Sequence, residues 1–132
     1  MKDEIRNALA NSFDDVGNFD GEALSSTLYD EGYHSVDDFN NDDVHALAAA
    51  IEYYDGDIEQ ALATIERGKY RHCPDAETYE DLGWAILREE TNVNCLPQIV
   101  CDYMDFEALG EDAERWGHGK FTRFGYFEPE KW

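Results

Sequence analysis

The chain has 132 residues, a length that fits one domain or two small units sharing a core, and 14% of them are aromatic. This aromatic content predicts a folded protein, because disordered acidic segments contain few aromatic residues. With 31 acidic and 10 basic side chains the formal net charge is −21, which excludes bare nucleic acid and anionic lipid as partners and favours cations or basic proteins. The sequence contains no apolar run of about 18 residues and no hydrophobic signal core near its start, so we expect a cytoplasmic protein without a membrane span.

The first half of the chain predicts a helical bundle, because its apolar residues recur at helical spacing. Four helices are expected, at about residues 2–13, 23–32, 42–54 and 57–68, with a single turn at 36–40. Asp42 and Asp57 are the predicted N-caps of the last two helices, since a side-chain oxygen there accepts a hydrogen bond from an unpaired backbone N–H. Gly68 stands where a glycine commonly ends a helix.

The second half predicts helices mixed with short strands. A strand is expected in KYRHC (69–73), followed by helices from Asp75 to about Thr91, from Pro97 and from Asp105. WGHGK then predicts a loop, and KFTRFGYFEP predicts one or two short strands with a bend at Gly125. The predicted fold class is α+β and mostly α-helical, with an acidic helical domain at 1–68 and a helix-rich α+β domain with short C-terminal strands at 69–132.

Motifs for metal, cofactor or catalytic chemistry do not stand out in the sequence. Cys73, Cys95 and Cys101 form no C-x-x-C pair, and we expect them to be buried thiols. The segment DGDIEQALATIE (55–66) spaces its acids as a calcium loop does, but Gln60 replaces the required glycine and a helical apolar stripe runs through it. Neither a nucleophile elbow nor a phosphate loop nor a dinucleotide fingerprint occurs. We therefore expect no metal, no cofactor and no enzymatic activity.

Acidic residues are unevenly distributed along the chain. Residues 1–66 carry a net charge of −15 and residues 67–132 a net charge of −6. The segment from Asn7 to Glu66, which we call the acidic tract, contains 15 acids and no Lys or Arg. Soluble helices normally intersperse cations, which gain about 0.2–0.5 kcal/mol per pair at i,i+4 spacing. Because the tract forgoes every such pair, a function is expected to favour its charge.

Two interpretations of the acidic tract remain open from composition. Duplex DNA carries one negative charge per ~1.7 Å of axis, and carboxylates at ~5–6 Å spacing on rigid helices would present a comparable array to the basic groove of a DNA-binding protein. In this DNA-mimic interpretation a cation would leave a repulsive gap, which accounts for the missing Lys and Arg. A generic acidic interaction domain is the alternative. A merely solubilising surface is a third possibility, but for it an even distribution of acids over both halves would be expected.

The mimic hypothesis predicts a target-binding set of carboxylates within the acidic tract, which we call the acidic surface. It comprises Asp14, Asp15, Asp20, Glu22, Asp30, Glu31, Asp37, Asp38, Asp42, Asp43, Glu52, Asp55, Asp57 and Glu59. The most crowded stretch, VDDFNNDDVH (36–45), lacks the ligand spacing of a metal loop, and we interpret it as part of this surface.

Three segments of the second half, ETYEDLGWAILREE, CLPQIVCDYMDFEALGEDAE and GKFTRFGYFEP, resemble the later part of the ArdA antirestriction family. The matching positions are Leu82–Gly83, Leu96–Pro97, Tyr103, Asp105, Phe106, Glu107, Ala108, Gly110 and Gly125–Tyr126. YYDGDIEQALATIERGKY is similar to the helix pair that precedes them in the family. The resemblance thus covers about residues 40–128.

This resemblance implies a DNA mimic, encoded by a phage or mobile element, that evades host defence in a bacterial cell. Such proteins occupy the DNA site of type I restriction–modification enzymes, usually as elongated dimers. The family's dimer contacts lie in its last domain, which corresponds to residues 69–132 here. An exposed aromatic side chain is compatible with a subunit interface, and the candidate dimer contacts are Trp116, Phe121 and Phe124.

Alternatives follow from one departure, since family members usually carry a further N-terminal domain that this chain is expected to lack. A shorter mimic would cover less DNA, so an anti-CRISPR mimic that blocks PAM or target DNA binding by a Cas nuclease or surveillance complex is an alternative. An acidic protein–protein adaptor without DNA competition is the alternative of another class. The expected partner of a mimic is a basic DNA-binding groove in a defence nuclease or methyltransferase, with no direct contact to nucleic acid or membrane.

Overall fold

The structure is a computed structural model that describes residues 2–90 and 97–129. Within these ranges the chain forms seven α-helices, one 3-10 helix and three short β-strands. The chain divides into two compact units, Met1–Gly68 and Lys69–Trp132. The predicted α+β class, mostly α-helical with short strands near the C-terminus, is confirmed.

The first unit consists of short helices: α1 (Asp3–Ala10), α2 (Glu22–Asp30), a 3-10 helix (His34–Asp38), α3 (Asn41–Tyr53) and α4 (Ile58–Arg67). Its core is built from the apolar stripes that periodicity predicts, and α3 contributes a continuous buried run over residues 46–51. Leu24 and Leu28 of α2 are fully buried as well. Burying one such leucine contributes about 1.5–3 kcal/mol, so packing stabilises helices that would be marginal alone.

Asn40, not Asp42, is the N-cap of α3. Its side-chain oxygen accepts a hydrogen bond from the Asp43 backbone N–H at 2.8 Å, and the Asp43 carboxylate accepts one from the Asn40 N–H at 3.2 Å. This reciprocal capping box requires a polar pair three residues apart where extended backbone meets the helix, and Asn40 meets that condition. The other two predictions are confirmed, since Asp57 caps α4 and Gly68 ends it with a φ of 75°.

Helix α1 is shorter than predicted and ends at Ala10. Just beyond this end, the Ser12 hydroxyl donates a hydrogen bond to the Ala8 carbonyl at 2.7 Å, which satisfies one of the last carbonyls of the helix. Phe13 then pairs with Phe19 in an isolated antiparallel β-bridge. A loop over residues 11–21, closed on itself by this bridge, therefore replaces the last predicted turn of the helix.

The second unit contains β1 (Arg71–Cys73), α5 (Tyr79–Glu90), α6 (Gln98–Tyr103), α7 (Phe106–Gly117), β2 (Lys120–Thr122) and β3 (Gly125–Glu128). Its strands form one antiparallel sheet in the order β1–β3–β2. The strand predicted at 69–73 and the helices predicted from Pro97 and Asp105 are confirmed. Gly125 makes the predicted bend with a φ of 104°.

Two predicted boundaries in the second unit are wrong. Helix α5 begins at Tyr79 rather than at Asp75, because the Thr78 hydroxyl accepts the Asp81 backbone N–H at 3.2 Å and so provides a cap. Its predicted end at Thr91 lies outside the described residues. Helix α7 continues to Gly117, so the predicted WGHGK loop shrinks to residues 118–119 before β2 begins.

Helices α5 and α7 approach each other so closely that two positions have no room for a side chain. A Cβ atom on Gly83 would collide with the backbone of Phe106, and one on Gly110 would collide with the backbone of Tyr79. Glycine permits this approach because it has no Cβ. Both glycines are among the positions that carry the resemblance to ArdA. The close approach of α5 and α7 explains why glycine is required at these two positions.

The sheet packs on α5 through a buried cluster that includes Cys73, Leu82 and Tyr126. The Tyr126 hydroxyl donates a hydrogen bond to the Glu128 carboxylate at 3.0 Å. Burial, together with the Glu128 charge, raises the pKa of Tyr126 well above its usual range, so the phenol remains a neutral donor. Arg71 lies 3.9 Å from the other Glu128 oxygen, which offsets part of the penalty for burying this carboxylate.

The prediction of buried thiols has a separate outcome at each cysteine. Cys73 is buried in the second unit, as predicted. Cys101 is a half-buried free thiol on α6, so that prediction is met only in part. Cys95 lies outside the described residues.

Candidate functional site

The acidic surface lies largely on the outside of the first unit. Eleven of its fourteen carboxylate residues are exposed, and Glu31, Asp43 and Glu52 are half-buried. The carboxylates stand in the loop between α1 and α2, at helix ends and in the turn before α4. These are accessible positions, as a contact with another protein requires.

Some of these carboxylates fix the backbone that carries them. Asp14 accepts hydrogen bonds from the backbone N–H groups of Val16 and Asn18, at 3.0 and 2.9 Å. Asp20 accepts one from the Glu22 N–H at 3.0 Å. The capping carboxylates of α3 and α4 do the same at two helix starts. The negative charges of this group are therefore held in defined orientations.

Other carboxylates of the acidic surface have no hydrogen-bonding or ion-pair partner within the described residues. Among residues 2–90 and 97–129, eight exposed members make no side-chain hydrogen bond or ion pair: Asp15, Glu22, Asp30, Asp37, Asp38, Asp42, Asp55 and Glu59. Their charges are hydrated in the free protein, and a cationic partner can pair with them without breaking an internal bond.

The two cations that precede the acidic tract both lie beside acids. Lys2 Nζ is 2.5 Å from a Glu31 carboxylate oxygen, and Arg6 Nη1 is 3.4 Å from an Asp3 oxygen. The hydrogen bond with Glu31, followed by the charge of the same group, raises the pKa of Lys2. Lys2 is therefore charged at neutral pH, and Glu31 presents less net charge to a partner than the exposed aspartates do.

The three aromatic residues predicted as dimer contacts differ in accessibility. Trp116 is 78% exposed, whereas Phe121 is half-buried, with its ring centroid 5.4 Å from that of Tyr79. Phe124 is 1% exposed, so its ring packs inside the second unit and is not available to a second chain in this fold. The subunit interface stays a prediction, carried by Trp116 and the accessible part of Phe121.

Several exposed apolar side chains were not anticipated from the sequence. In the first unit Val16 is 80% exposed and Phe13 40%, and on α6 Ile99 is 64% and Tyr103 85% exposed. Periodicity identifies the apolar face of an element, but it does not show whether another element covers that face. The short loop around Val16 has no periodicity that could have revealed it.

The part of the chain that the structure describes contains no side-chain cluster suited to binding a metal ion. No group of three or more His, Cys, Asp or Glu side chains there is arranged to hold a metal ion. In the segment 55–66, α4 begins at Ile58, so a helix stands where a calcium loop would need irregular backbone. None of the helices in the described ranges is long and apolar enough to cross a bilayer.

The exposed carboxylates in the loops and at the helix ends of the first unit make a charged surface the candidate site. A model of the antirestriction protein family ArdA matches residues 3–128 of the chain. The protein therefore belongs to the ArdA antirestriction family, whose members are non-enzymatic inhibitors. No curated protein and no solved structure gives a match.

Family membership implies inhibition of type I restriction–modification and binding to such an enzyme. The motifs had placed the start of the resemblance near residue 40, whereas the family match begins at residue 3. Nearly all of the first unit, including the whole acidic tract, therefore lies within the matched region. The comparisons give no support to an anti-CRISPR activity.

Proposed function

We propose that the protein inhibits a type I restriction–modification enzyme by mimicking DNA, with the acidic surface occupying the DNA-binding groove in place of the phosphate backbone. The observation that carries this proposal is the acidic tract, which holds 15 acids without a Lys or Arg. The inhibitor acts in the cytoplasm of a bacterial host, on behalf of a phage or mobile element. It contacts the enzyme and not the DNA.

Electrostatics explains why the tract would exclude cations. A protein that binds DNA releases counterions, and log K falls with log salt by about 0.9 for each phosphate contacted. Exposed carboxylates that meet the same Lys and Arg side chains gain from the same release. A cation within the tract would face the cations of the groove, and that repulsion would reduce affinity.

Rigidity supports mimicry as much as charge does. Phosphates stand at fixed intervals along duplex DNA, so an imitation needs carboxylates that do not move freely. Asp14, Asp20 and Asp57 are each fixed by backbone N–H groups at 2.9–3.1 Å. Ordering a mobile side chain on binding costs about 0.5–1.5 kcal/mol, and these bonds reduce that cost.

Competition with DNA tests the proposal directly. A purified type I enzyme is loaded with a labelled duplex that contains its recognition sequence, and the protein is titrated in. We expect displacement of the duplex, with an affinity that falls steeply between ~50 and ~200 mM salt. A ternary complex that persists under saturating duplex would overturn mimicry and favour an acidic adaptor without DNA competition.

Neutralising part of the acidic surface tests its placement. Asp37, Asp38 and Asp42 are exposed and make no side-chain hydrogen bond or ion pair within the described ranges, so their joint change to Asn should leave the fold intact. Asp43 is left unchanged because it closes the capping box. We expect about 10-fold weaker inhibition, from roughly 0.5 kcal/mol per lost ion pair, and a shallower salt dependence.

A matched control comes from the second unit, where Glu80, Glu107 and Glu111 are exposed on helices. Changing these three to Gln alters the net charge equally and should leave inhibition almost unchanged. Equal losses for both triple variants would show a general charge effect and refute the placement of the surface. A Cas nuclease serves as the specificity control, and its inhibition in place of the type I enzyme would contradict the proposed target.

A further inference from the structure

The loop between α1 and α2 (residues 11–21) exposes apolar side chains in the middle of the acidic tract. Val16 is 80% exposed and Phe13 is 40% exposed. Asp14 and Asp15 lie between them in sequence, and Asp20 follows. Scattered exposed apolar residues are common on proteins, but two in one short loop of an otherwise charged segment need a separate account.

This loop is fastened to α3 on its C-terminal side. Phe13 and Phe19 form a β-bridge, and the Phe19 ring stacks on that of His45 with centroids 4.1 Å apart. The Asn41 side chain donates a hydrogen bond to the Phe19 carbonyl at 3.1 Å and accepts one from the Gly21 N–H at 2.9 Å. These contacts with α3 hold the loop that carries Phe13 and Val16 in place, which lowers the entropy lost when a partner binds.

A hollow of about 400 Å³ opens beside the loop. It is lined by Asn11 and Phe13, by the acidic residues Asp14, Asp20 and Glu22, and by the small residues Ala23 and Ser26 of α2. An aromatic face attracts a cation, and apolar walls accept the aliphatic stem of a long side chain while its charged end reaches polar groups. The hollow therefore has the chemistry to receive a lysine or arginine side chain.

We infer that this loop and hollow form a contact element that receives one basic side chain from the protein partner, while Val16 packs against apolar surface beside it. A net charge of −15 over residues 1–66 repels phosphate-bearing ligands and attracts cations. No side-chain group suited to a metal ion is found among the described residues, so we assign the occupant as a basic side chain of the protein partner. The identity of the partner rests on the proposed function. The inference adds that recognition includes an apolar component, insensitive to salt, which a purely electrostatic mimic would lack.

Replacing Val16 with serine tests the proposed apolar contact with the partner. Binding to a purified type I enzyme is measured at ~50 and ~200 mM salt. We expect about fivefold weaker binding at both concentrations, since the serine variant lacks an apolar contact of Val16 that contributes roughly 1 kcal/mol. The salt slope should not change, whereas Asp15→Asn should make it shallower. Val100→Ser on α6 makes the same chemical change at a 40% exposed site and should bind like the wild type.

Filling the hollow tests the occupant independently. Ala23 is exposed on α2, and Ala23→Leu places bulk in the hollow without a change in charge. We expect about fivefold weaker binding, on the order of 1 kcal/mol, with an unaltered circular dichroism spectrum. Ala63→Leu, at an exposed position of α4, is the control and should bind normally.

The outcomes separate this inference from the proposed function. If the wild type displaces DNA but Val16→Ser and Ala23→Leu both bind normally, the contact element is wrong and mimicry stands. If the wild type binds the enzyme without displacing DNA and both variants weaken binding, mimicry is wrong and the contact element stands. A Val16→Ser effect that disappears at ~200 mM salt would also overturn the inference, because an apolar contact is not screened.

Discussion

Polar residues at the helix starts of the first unit divide into two groups. Asn40 and Asp43 satisfy each other's backbone N–H groups, and Asp57 satisfies that of Gln60. Asp42 stands next to Asp43 and is exposed without such a bond among the described residues. A carboxylate therefore either supports the fold or remains available to a partner, depending on which backbone donors lie within its reach.

Replacing Asn40 with alanine should lower the free energy of unfolding by about 1 kcal/mol, because the Asp43 N–H loses its acceptor. Asp42→Ala should change it by less than about 0.5 kcal/mol, since the side chain is exposed. Urea unfolding followed by circular dichroism measures both values. Similar losses for the two variants would contradict the capping box.

Two glycines allow helix α5 and helix α7 to pack closely against each other. Gly83 meets the backbone of Phe106, and Gly110 meets that of Tyr79. Glycine inside a helix is less favourable than alanine by about 1 kcal/mol, so both positions sacrifice helix propensity for a close approach. The approach brings α7 near the aromatic side chain of Trp84, which stacks on Phe106 with ring centroids 4.3 Å apart.

Replacing Gly83 with alanine should destabilise the protein by about 1–3 kcal/mol, the usual range for overpacking. In a helix with no neighbour at this position, the same change would stabilise the protein by about 1 kcal/mol. The sign of the change in stability therefore shows whether α5 and α7 lie too close together at Gly83 to admit a methyl group. Urea unfolding gives the measurement, and Glu80→Ala at an exposed position of α5 is the control. A gain in stability would show that the two backbones can separate without loss.

Element boundaries were less predictable than element types. Helical periodicity identified α3, α4 and α7, but α3 and α5 begin where Asn40 and Thr78 supply an oxygen to a particular N–H. Several polar residues precede each helix, and spacing alone does not select among them. Similarly, α1 ends early because Phe13 pairs with Phe19, a contact that local periodicity does not contain.

Net charge acts on the whole molecule. A charge of −21 in 132 residues disfavours the compact state through self-repulsion. Packing of the two cores must offset this repulsion, because Lys2 and Arg6 are the only cations among residues 1–66 of the sequence. Stability should therefore depend on ionic strength even without a partner.

Raising sodium chloride from ~10 to ~150 mM should increase the thermal unfolding midpoint, because the Debye length shortens from ~30 to ~8 Å and screens repulsion between carboxylates. Differential scanning calorimetry measures the midpoint. Potassium chloride at the same ionic strength should act equally, which distinguishes screening from specific sodium binding. A midpoint independent of salt would mean that the carboxylates are too far apart, or too well hydrated, to repel each other appreciably.

The sequence by itself determined the fold class, the resemblance to the ArdA family and the cation-free acidic tract. These properties follow from composition, periodicity and local pattern, which need no coordinates. Only the tertiary structure decided which carboxylates bond to the backbone and which stay available, and that Phe124 is buried. It also decided that Val16 is exposed and that other residues of the same loop line a hollow with carboxylates. The physical reason is that accessibility and hydrogen bonding depend on neighbours distant in sequence, such as Asn41 fixing Phe19 and Gly21 across some twenty residues.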